Sequence, residues 1–183
     1  MNESLREVFV RDGVVLLSGL FEGDYINRLS SALEFARDNP SPMARETKDR
    51  EGNTIFFTDF FTYKKNSIIR SILQDRDFTD LIAQVSGANE LRLFHDHILI
   101  KTGDAPETPW HQDRPYYLVD GPISFSVWMT PDFVPVSESL AFIRGSHGLN
   151  REFAPVSFED GGVIGSNASF EQLTSTEIEL MSR

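Results

Sequence analysis

The chain contains no cysteine. This absence excludes disulfide bonds and thiolate chemistry, so a protein-bound metal ion would have to be held by histidine or carboxylate ligands. Histidine is also scarce, with four residues in 183, so each of the four is a candidate ligand.

Basic residues are outnumbered by acidic ones. There are 17 Lys and Arg residues against 28 Asp and Glu residues, which gives a net charge of −11. An acidic surface repels the phosphate backbone of nucleic acids and anionic membranes, so we predict neither as a partner. No apolar run approaches the length needed to span a bilayer, and residues 1–7 lack the features of a signal peptide. We therefore expect a cytoplasmic location, while the sequence specifies no oligomeric state.

The composition is otherwise that of an ordinary globular protein, with 40% hydrophobic and 25% charged residues. A chain of 183 residues is long enough to bury a sizeable core. We therefore predict one domain over residues 1–183.

The first half of the chain has the apolar periodicity of helices. The predicted helices cover about 21–38, 66–73 and 77–86. Residues 14–17 are predicted as a short buried strand, and the polar stretch 43–53 as a loop. Core packing explains the aromatic stretch 55–61 best, with the wall of a substrate pocket as the alternative.

From residue 91 onward the apolar period changes to two, which is typical of strands. The predicted strands cover 91–101, 123–129 and 139–143, with a weaker one at 178–181. Helices followed by short strands and turns favour an all-β barrel or jelly roll with a helical flank. We therefore assign residues 1–90 to a helical N-terminal flank and residues 91–183 to the strands.

Residues 108–113, Thr-Pro-Trp-His-Gln-Asp, carry the most informative motif. If this segment is extended, His111 and Asp113 point to the same face, because side chains alternate along a strand. An imidazole beside a carboxylate supplies two of the three ligands of the 2-His-1-carboxylate site of non-haem Fe(II) oxygenases. Chance alone would supply this spacing roughly one time in three, so the surrounding sequence has to decide the interpretation.

Several features follow one another along the chain. They are Asp12-Gly13 with the helix after it, the strand ending in Lys101, Thr-Pro-Trp-His-Gln-Asp with Tyr116 three residues past the Asp, the strand carrying Trp128, and the apolar strand ending in Gly145-Ser146-His147. In this order they resemble the phytanoyl-CoA dioxygenase family of Fe(II)/2-oxoglutarate oxygenases. The resemblance covers nearly the whole chain and makes the metal site the favoured interpretation.

The resemblance implies a fold that is mainly β with flanking helices, a double-stranded β-helix (jelly roll) with a metal ion in the mouth of its barrel. It implies that His111 and Asp113 are iron ligands at the catalytic centre. Lys101 and Trp128 stand where the family lines its 2-oxoglutarate pocket. Tyr116 matches a recurring aromatic residue close to the metal.

Two further positions of the motifs differ from the ligands in what they imply. Gln112 belongs to the family motif, although in an ideal strand its side chain points away from the iron. Arg144 stands where relatives usually have proline before Gly-Ser-His.

In relatives, a second iron-binding His and an Arg that pairs with 2-oxoglutarate lie further along than residue 183. We therefore expect a fragment whose jelly roll is incomplete at the C-terminus, with little or no turnover.

The remaining histidines are weaker candidates. His147 lies 34 residues past Asp113 and is predicted to be a turn residue. His97 shares a strand face with Lys101, where it would contact substrate or the groups around the metal. His95 is predicted to be structural or exposed.

The predicted function is hydroxylation of a small organic molecule by O2, with Fe(II) as cofactor and 2-oxoglutarate as co-substrate. The alternative is a non-catalytic jelly-roll binding module with a vestigial metal site. A cupin-like metal hydrolase or isomerase fits less well, because such sites usually recruit more His ligands. The sequence does not identify the substrate.

Overall fold

The structure, a computed structural model, describes residues 3–102, 105–117, 119, 121, 123–158, 161–164 and 170–182. The chain divides into two compact units. Unit 1 comprises Met1–Leu16, Pro106–Trp128 and Pro135–Arg183, and unit 2 comprises Leu17–Ala105 and Met129–Val134. The α-helices are α1 (Leu5–Asp12), α2 (Asp24–Asp38), α3 (Ser67–Leu73), α4 (Arg76–Ser86) and α5 (Ser175–Met181), and the strands are β1 (Arg45–Lys48), β2 (Thr54–Phe60) and β3 (His97–Lys101).

The three strands of unit 2 form an antiparallel sheet in the order β1-β2-β3. Phe56 and Phe57 are neighbours on β2 and point to opposite faces, yet both are buried, so both faces of the central strand are covered. Ala32 and Ala36, one turn apart on α2, pack in the same cluster as Phe57. This arrangement confirms core packing for the first part of the aromatic stretch.

The helices of unit 2 begin and end at residues with clear capping roles. The side chain of Asn66 accepts hydrogen bonds from the backbone at the start of α3, and Asp75 does the same for α4. Gly87 ends α4 in the left-handed conformation that glycine adopts without strain. The predicted helices 66–73 and 77–86 are therefore confirmed within a residue, whereas α2 begins about three residues later than predicted.

In unit 1, the turn that contains His147 packs on the C-terminal end of α1. Gly13 ends that helix with a φ of 75°, and the backbone N–H of Gly145 donates to the carbonyl of Asp12 at 2.8 Å. Nε2 of His147 lies 3.1 Å from the carbonyl oxygen of Val10, which can only accept, so the imidazole donates. The prediction that His147 is a turn residue agrees with its place in a short 3-10 helix.

Several predicted strands are wrong. Residues 14–17, 123–129 and 139–143 have no regular structure, and residues 178–181 belong to α5. A strand requires a neighbouring strand as well as apolar alternation, and Ile123, Val127 and Trp128 remain about half exposed. The described residues thus form a three-stranded sheet with flanking helices, which agrees with a mainly β fold with helices, and they do not show a complete jelly roll.

Two further elements differ from prediction. The predicted loop 43–53 contains β1, whose polar residues pair with β2 through their backbone. The predicted strand 91–101 is regular only at its end, as β3. None of the helices in the described part of the chain is long and apolar enough to cross a membrane.

Replacing Gly13 with alanine should lower the free energy of unfolding by about 3 kcal/mol. A side chain at this positive φ costs about 1–2 kcal/mol, and the added Cβ would lie 2.3 Å from Nδ1 of His147. Gly19 is the matched control, since its φ is 67° with nothing within 4 Å of the Cβ position. Urea denaturation should show a clearly smaller loss for Gly19→Ala, and equal losses would contradict the predicted contact with His147.

Candidate functional site

His111 and Asp113 face each other in unit 1. Nε2 of His111 lies 3.4 Å from Oδ1 of Asp113. The predicted extended strand is absent here. Asp113 instead adopts a helical φ and ψ of −67° and −40° and leads into the 3-10 helix Arg114–Tyr116. The two side chains therefore converge across a bend in the backbone.

The carbonyl of Pro109 orients the imidazole. Nδ1 of His111 lies 2.8 Å from that oxygen, and a carbonyl can only accept, so Nδ1 carries the proton. In the neutral ring this leaves the lone pair on Nε2, the atom directed at Asp113. A metal-binding histidine commonly donates its other N–H to a backbone carbonyl in this way.

The protonation of His111 reflects opposing effects. Burial lowers the pKa of the imidazole, but hydrogen bonds to Asp113 and Pro109, together with the charge of Asp113, outweigh it and raise the pKa above its usual value. Burial, with the charge of Asp113, raises the pKa of Tyr117 to about 12. Tyr117 therefore stays a neutral phenol at physiological pH.

The carboxylate of Asp113 is also held from the other side. The hydroxyl of Ser126 donates to Oδ2 of Asp113 at 2.5 Å. The other oxygen, Oδ1, is the one directed at His111. Ser126 thus helps to fix which oxygen of the carboxylate faces the imidazole.

Two aromatic rings flank His111. The ring of Phe158 lies 4.7 Å and that of Tyr116 5.6 Å from the imidazole, measured between centroids. The hydroxyl of Tyr116 donates to the carbonyl of Val156 and accepts from its N–H, both at 2.7 Å. Tyr116 is therefore a fixed wall, because its hydroxyl is fully engaged with the backbone.

Gln112 is hydrogen-bonded to the segment that contains Val156 and Phe158, close to its start. Its amide nitrogen donates to the carbonyl of Arg151 at 3.1 Å, and its amide oxygen accepts from the N–H of Phe153 at 3.0 Å. The guanidinium of Arg151 in turn bonds Glu171 and Glu177, which lowers the pKa of both carboxyls. Gln112 thus links the motif to residues 151 and 153, and whether it also acts at the metal site stays a prediction.

The spacing of the two donors fits a shared metal ion. Nitrogen and oxygen ligands at the ~2.1 Å typical of zinc, roughly 90–110° apart, lie about 3.0–3.4 Å from each other. The observed 3.4 Å between Nε2 and Oδ1 is within that range. Within the residues that the structure describes, however, no group of three His, Asp or Glu side chains could hold a metal ion.

The other predicted site residues are placed differently. Trp128 is in unit 1 and half exposed. Lys101 is on β3 in unit 2, with its ammonium 5.3 Å from the ring of Phe56. The structure therefore brings together His111, Asp113 and Tyr116, and the roles of Lys101 and Trp128 stay predictions.

The remaining histidines of unit 2 lie in an aromatic cluster. The imidazole of His97 stacks on Phe60 at 3.9 Å, and its Nε2 is 2.6 Å from the hydroxyl of Thr58. His95 packs against Phe60 and Phe61. These contacts hold both rings in the aromatic cluster, and a contact of His97 with substrate stays a prediction.

A comparison with protein families decides the assignment. The family described as Phytanoyl-CoA dioxygenase matches residues 9–163, a span that includes both candidate ligands and the Gly-Ser-His turn. The chain belongs to the phytanoyl-CoA dioxygenase family. The predicted resemblance is thus confirmed, and the family is one of dioxygenases. No curated protein and no solved structure matches the chain.

The contacts of three residues at the candidate site were not foreseen. Ser126 and Phe158 contact Asp113 and His111, and Gln112 fixes the segment opposite. Ser126 and Phe158 lie 13 and 47 residues from their partners, where no sequence spacing reveals a contact. Gln112 stands in the family motif, but the motif does not reveal its bonds to residues 151 and 153.

Proposed function

We propose that this chain belongs to an Fe(II)/2-oxoglutarate-dependent oxygenase that hydroxylates a small organic molecule. The observation that carries the proposal is the convergence of Nε2 of His111 and Oδ1 of Asp113, with the imidazole held by Pro109 in the tautomer suited to a metal. Membership of a dioxygenase family supports the same chemistry. The proposal includes a jelly-roll fold, a cytoplasmic location, and O2 and a small molecule as partners.

Each residue of the site has a distinct part. His111 would offer a neutral nitrogen to the ion, and Asp113 a negatively charged oxygen. The hydroxyl of Ser126, by donating to Oδ2 of Asp113, keeps Oδ1 directed at His111. Tyr116 and Phe158 cover the imidazole and limit the access of water. Lys101 and Trp128 would line the co-substrate pocket. When bound, Fe(II) with 2-oxoglutarate supplies the activation of O2 and the oxidising power for hydroxylation.

The test of this proposal is the effect of 2-oxoglutarate on Fe(II) affinity under anaerobic conditions. A chelating 2-oxo acid should strengthen Fe(II) binding, whereas succinate, which lacks the 2-oxo group, should leave the affinity unchanged. Calorimetric titration with each acid at saturating concentration provides the comparison. Equal Fe(II) affinity with 2-oxoglutarate, with succinate and with neither would contradict the proposed co-substrate.

Turnover by the 183-residue chain should nevertheless be at background. Among the described residues His111 and Asp113 have no third His, Asp or Glu side chain to complete a metal site, and two protein ligands hold and orient iron poorly. Succinate released from 2-oxoglutarate in air should not exceed the amount from the His111→Ala variant. Succinate above that background would contradict the predicted inactivity while supporting the oxygenase assignment.

Fe(II) affinity should fall as the pH is lowered. The metal requires the neutral imidazole, and the pKa of His111 is raised, so protons compete at a higher pH than for an ordinary histidine. Below that pKa the affinity should drop by about tenfold per pH unit. Equilibrium dialysis between pH 6 and 8 checks this, and a pH-independent affinity would exclude His111 as a ligand.

The second candidate is a binding module without catalysis. The observation that favours it is the lack, among the described residues, of a third carboxylate or imidazole near the pair. A module of this kind would bind neither Fe(II) nor 2-oxoglutarate measurably. The same anaerobic titration therefore separates the two candidates.

A further inference from the structure

A pocket in unit 2 lies outside the proposed iron site. It has a volume of about 220 Å³ and is formed by the end of α2, the turn 41–43 and the end of β2. We refer to it as the α2–β2 pocket. Its apolar wall consists of Phe35, Ala36, Pro42, Met43, Phe60 and Phe61. At the packing density of proteins this volume holds a molecule of roughly ten non-hydrogen atoms.

A buried carboxylate fixes one side of the α2–β2 pocket. Asp59 is 1% exposed, and its Oδ2 accepts from the backbone N–H of Ser41 at 2.8 Å. Its Oδ1 accepts from the hydroxyl of Ser41 at 2.5 Å and from the N–H of Phe60 at 2.8 Å. These bonds tie the turn 41–43 to β2, so the wall is preformed, and they engage both carboxylate oxygens within the protein.

A buried amide fixes another part of the pocket wall. Asn66 is 1% exposed, and its amide nitrogen donates to the carbonyl of Ala32 on α2 at 2.9 Å. Its amide oxygen accepts from the N–H groups of Ile68 and Ile69 at the start of α3. Both buried polar side chains are thus committed to the framework, and the contacts left for a ligand are apolar ones and those at the opening.

The backbone at the pocket wall is also unusual. Phe61 has a φ of 56°, in the left-handed region that non-glycine residues rarely adopt. Such strain costs about 1–3 kcal/mol and clusters at ligand-binding positions. Holding Phe61 in this conformation at the end of β2 places a second aromatic residue on the wall beside Phe60.

Two exposed lysines, Lys64 and Lys65, give the opening a positive charge. The ammonium of Lys64 lies 4.7 Å from the ring centroid of Phe61. Within the described part of the chain neither lysine takes part in an ion pair, in contrast to the similarly exposed Lys48, which pairs with Glu46 at 3.6 Å. In a chain of net charge −11, two adjacent lysines at an apolar pocket complement a negatively charged ligand.

We propose that the α2–β2 pocket binds a small apolar monocarboxylate, with the carboxylate at Lys64 and Lys65 and the hydrocarbon between Phe35, Met43 and Phe60. The carbonyl end of α2 carries a partial negative charge, which would repel the carboxylate and so sets its orientation. This binding requires neither iron nor 2-oxoglutarate and is separate from the proposed oxygenase function.

Octanoate, with ten non-hydrogen atoms, is a suitable probe for calorimetric titration of the full chain without metal. It should bind about tenfold more tightly than 1-octanol, and the double variant Lys64→Ala/Lys65→Ala should weaken it by about tenfold. Lys48→Ala is the matched control, since it removes the same charge elsewhere in unit 2 and should leave the affinity unchanged. Met43→Trp, which fills the mouth of the pocket, should abolish binding.

Three results would overturn the proposal. They are absence of octanoate binding to the native chain, equal affinity for octanoate and 1-octanol, and unchanged octanoate binding by Met43→Trp. Because the titration contains no metal, failure here leaves the Fe(II) experiments untouched, and failure of Fe(II) binding leaves this result standing. Circular dichroism of each variant confirms that the fold is retained.

Discussion

Fe(II) affinity should fall by about 100-fold or more when His111 is replaced by alanine. The substitution removes one of the two donors that lie 3.4 Å apart and leaves a single half-exposed carboxylate. One carboxylate in contact with water competes poorly with the hydration of the ion. Anaerobic titration of the native chain and the variant at pH 7.5 measures the difference.

His147→Ala provides the control for that loss. It removes another imidazole of unit 1, one whose Nε2 donates to the carbonyl of Val10 and is therefore not directed at a carboxylate as Nε2 of His111 is. Its Fe(II) affinity should equal that of the native chain, although its stability should fall. Equal weakening by both substitutions would mean that the number of histidines, and not their arrangement, governs the affinity.

The free energy of unfolding should fall by about 3–4 kcal/mol when Asp59 is replaced by alanine. The carboxylate is 1% exposed, and its removal leaves the N–H and hydroxyl of Ser41 and the N–H of Phe60 without an acceptor. Unsatisfied buried donors carry their full desolvation cost, so this loss exceeds that of an ordinary surface hydrogen bond. Urea denaturation followed by circular dichroism measures it.

Asp49→Ala is the matched control for this prediction. Asp49 also accepts hydrogen bonds, from the backbone and side chain of Asn53, but water replaces those bonds when the carboxylate is removed. Its substitution should therefore cost much less than that of Asp59. Equal losses for the two variants would contradict the burial of Asp59.

Helices were predictable here because their signals are local. Asn66, Asp75 and Gly87 mark the ends of α3 and α4 in the sequence, and apolar residues repeat between them. The same kind of signal was present for α1 and α5, where Ser4 with Glu7 and Thr174 with Glu177 form capping boxes. The capping box of Thr174 and Glu177 indicates a helix at α5, where the apolar residues alone had predicted a strand over 178–181.

Strands were less predictable because pairing is a long-range property. β1 has four polar or charged residues and is a strand only because its backbone bonds to β2. Residues 123–129 alternate cleanly, yet nothing in their own sequence specifies a partner strand. Alternation therefore indicates which side chains share a face, and not whether a sheet forms.

The candidate site was predictable in its residues but not in its geometry. Chemistry and the family resemblance singled out His111 and Asp113, while the backbone bend that joins them and the contacts of Ser126 and Phe158 depend on tertiary packing. The bend matters for function, because it brings Nε2 to 3.4 Å from Oδ1 without a strand.

The most direct test of a shared metal ion is anomalous diffraction from crystals grown with Fe(II) in the absence of oxygen. We predict one peak about 2.1 Å from both Nε2 of His111 and the carboxylate of Asp113. The peak should be absent from crystals of the His111→Ala variant. A peak at any other position, or none beside His111 at saturating Fe(II), would contradict the assignment of these residues as the metal-binding pair.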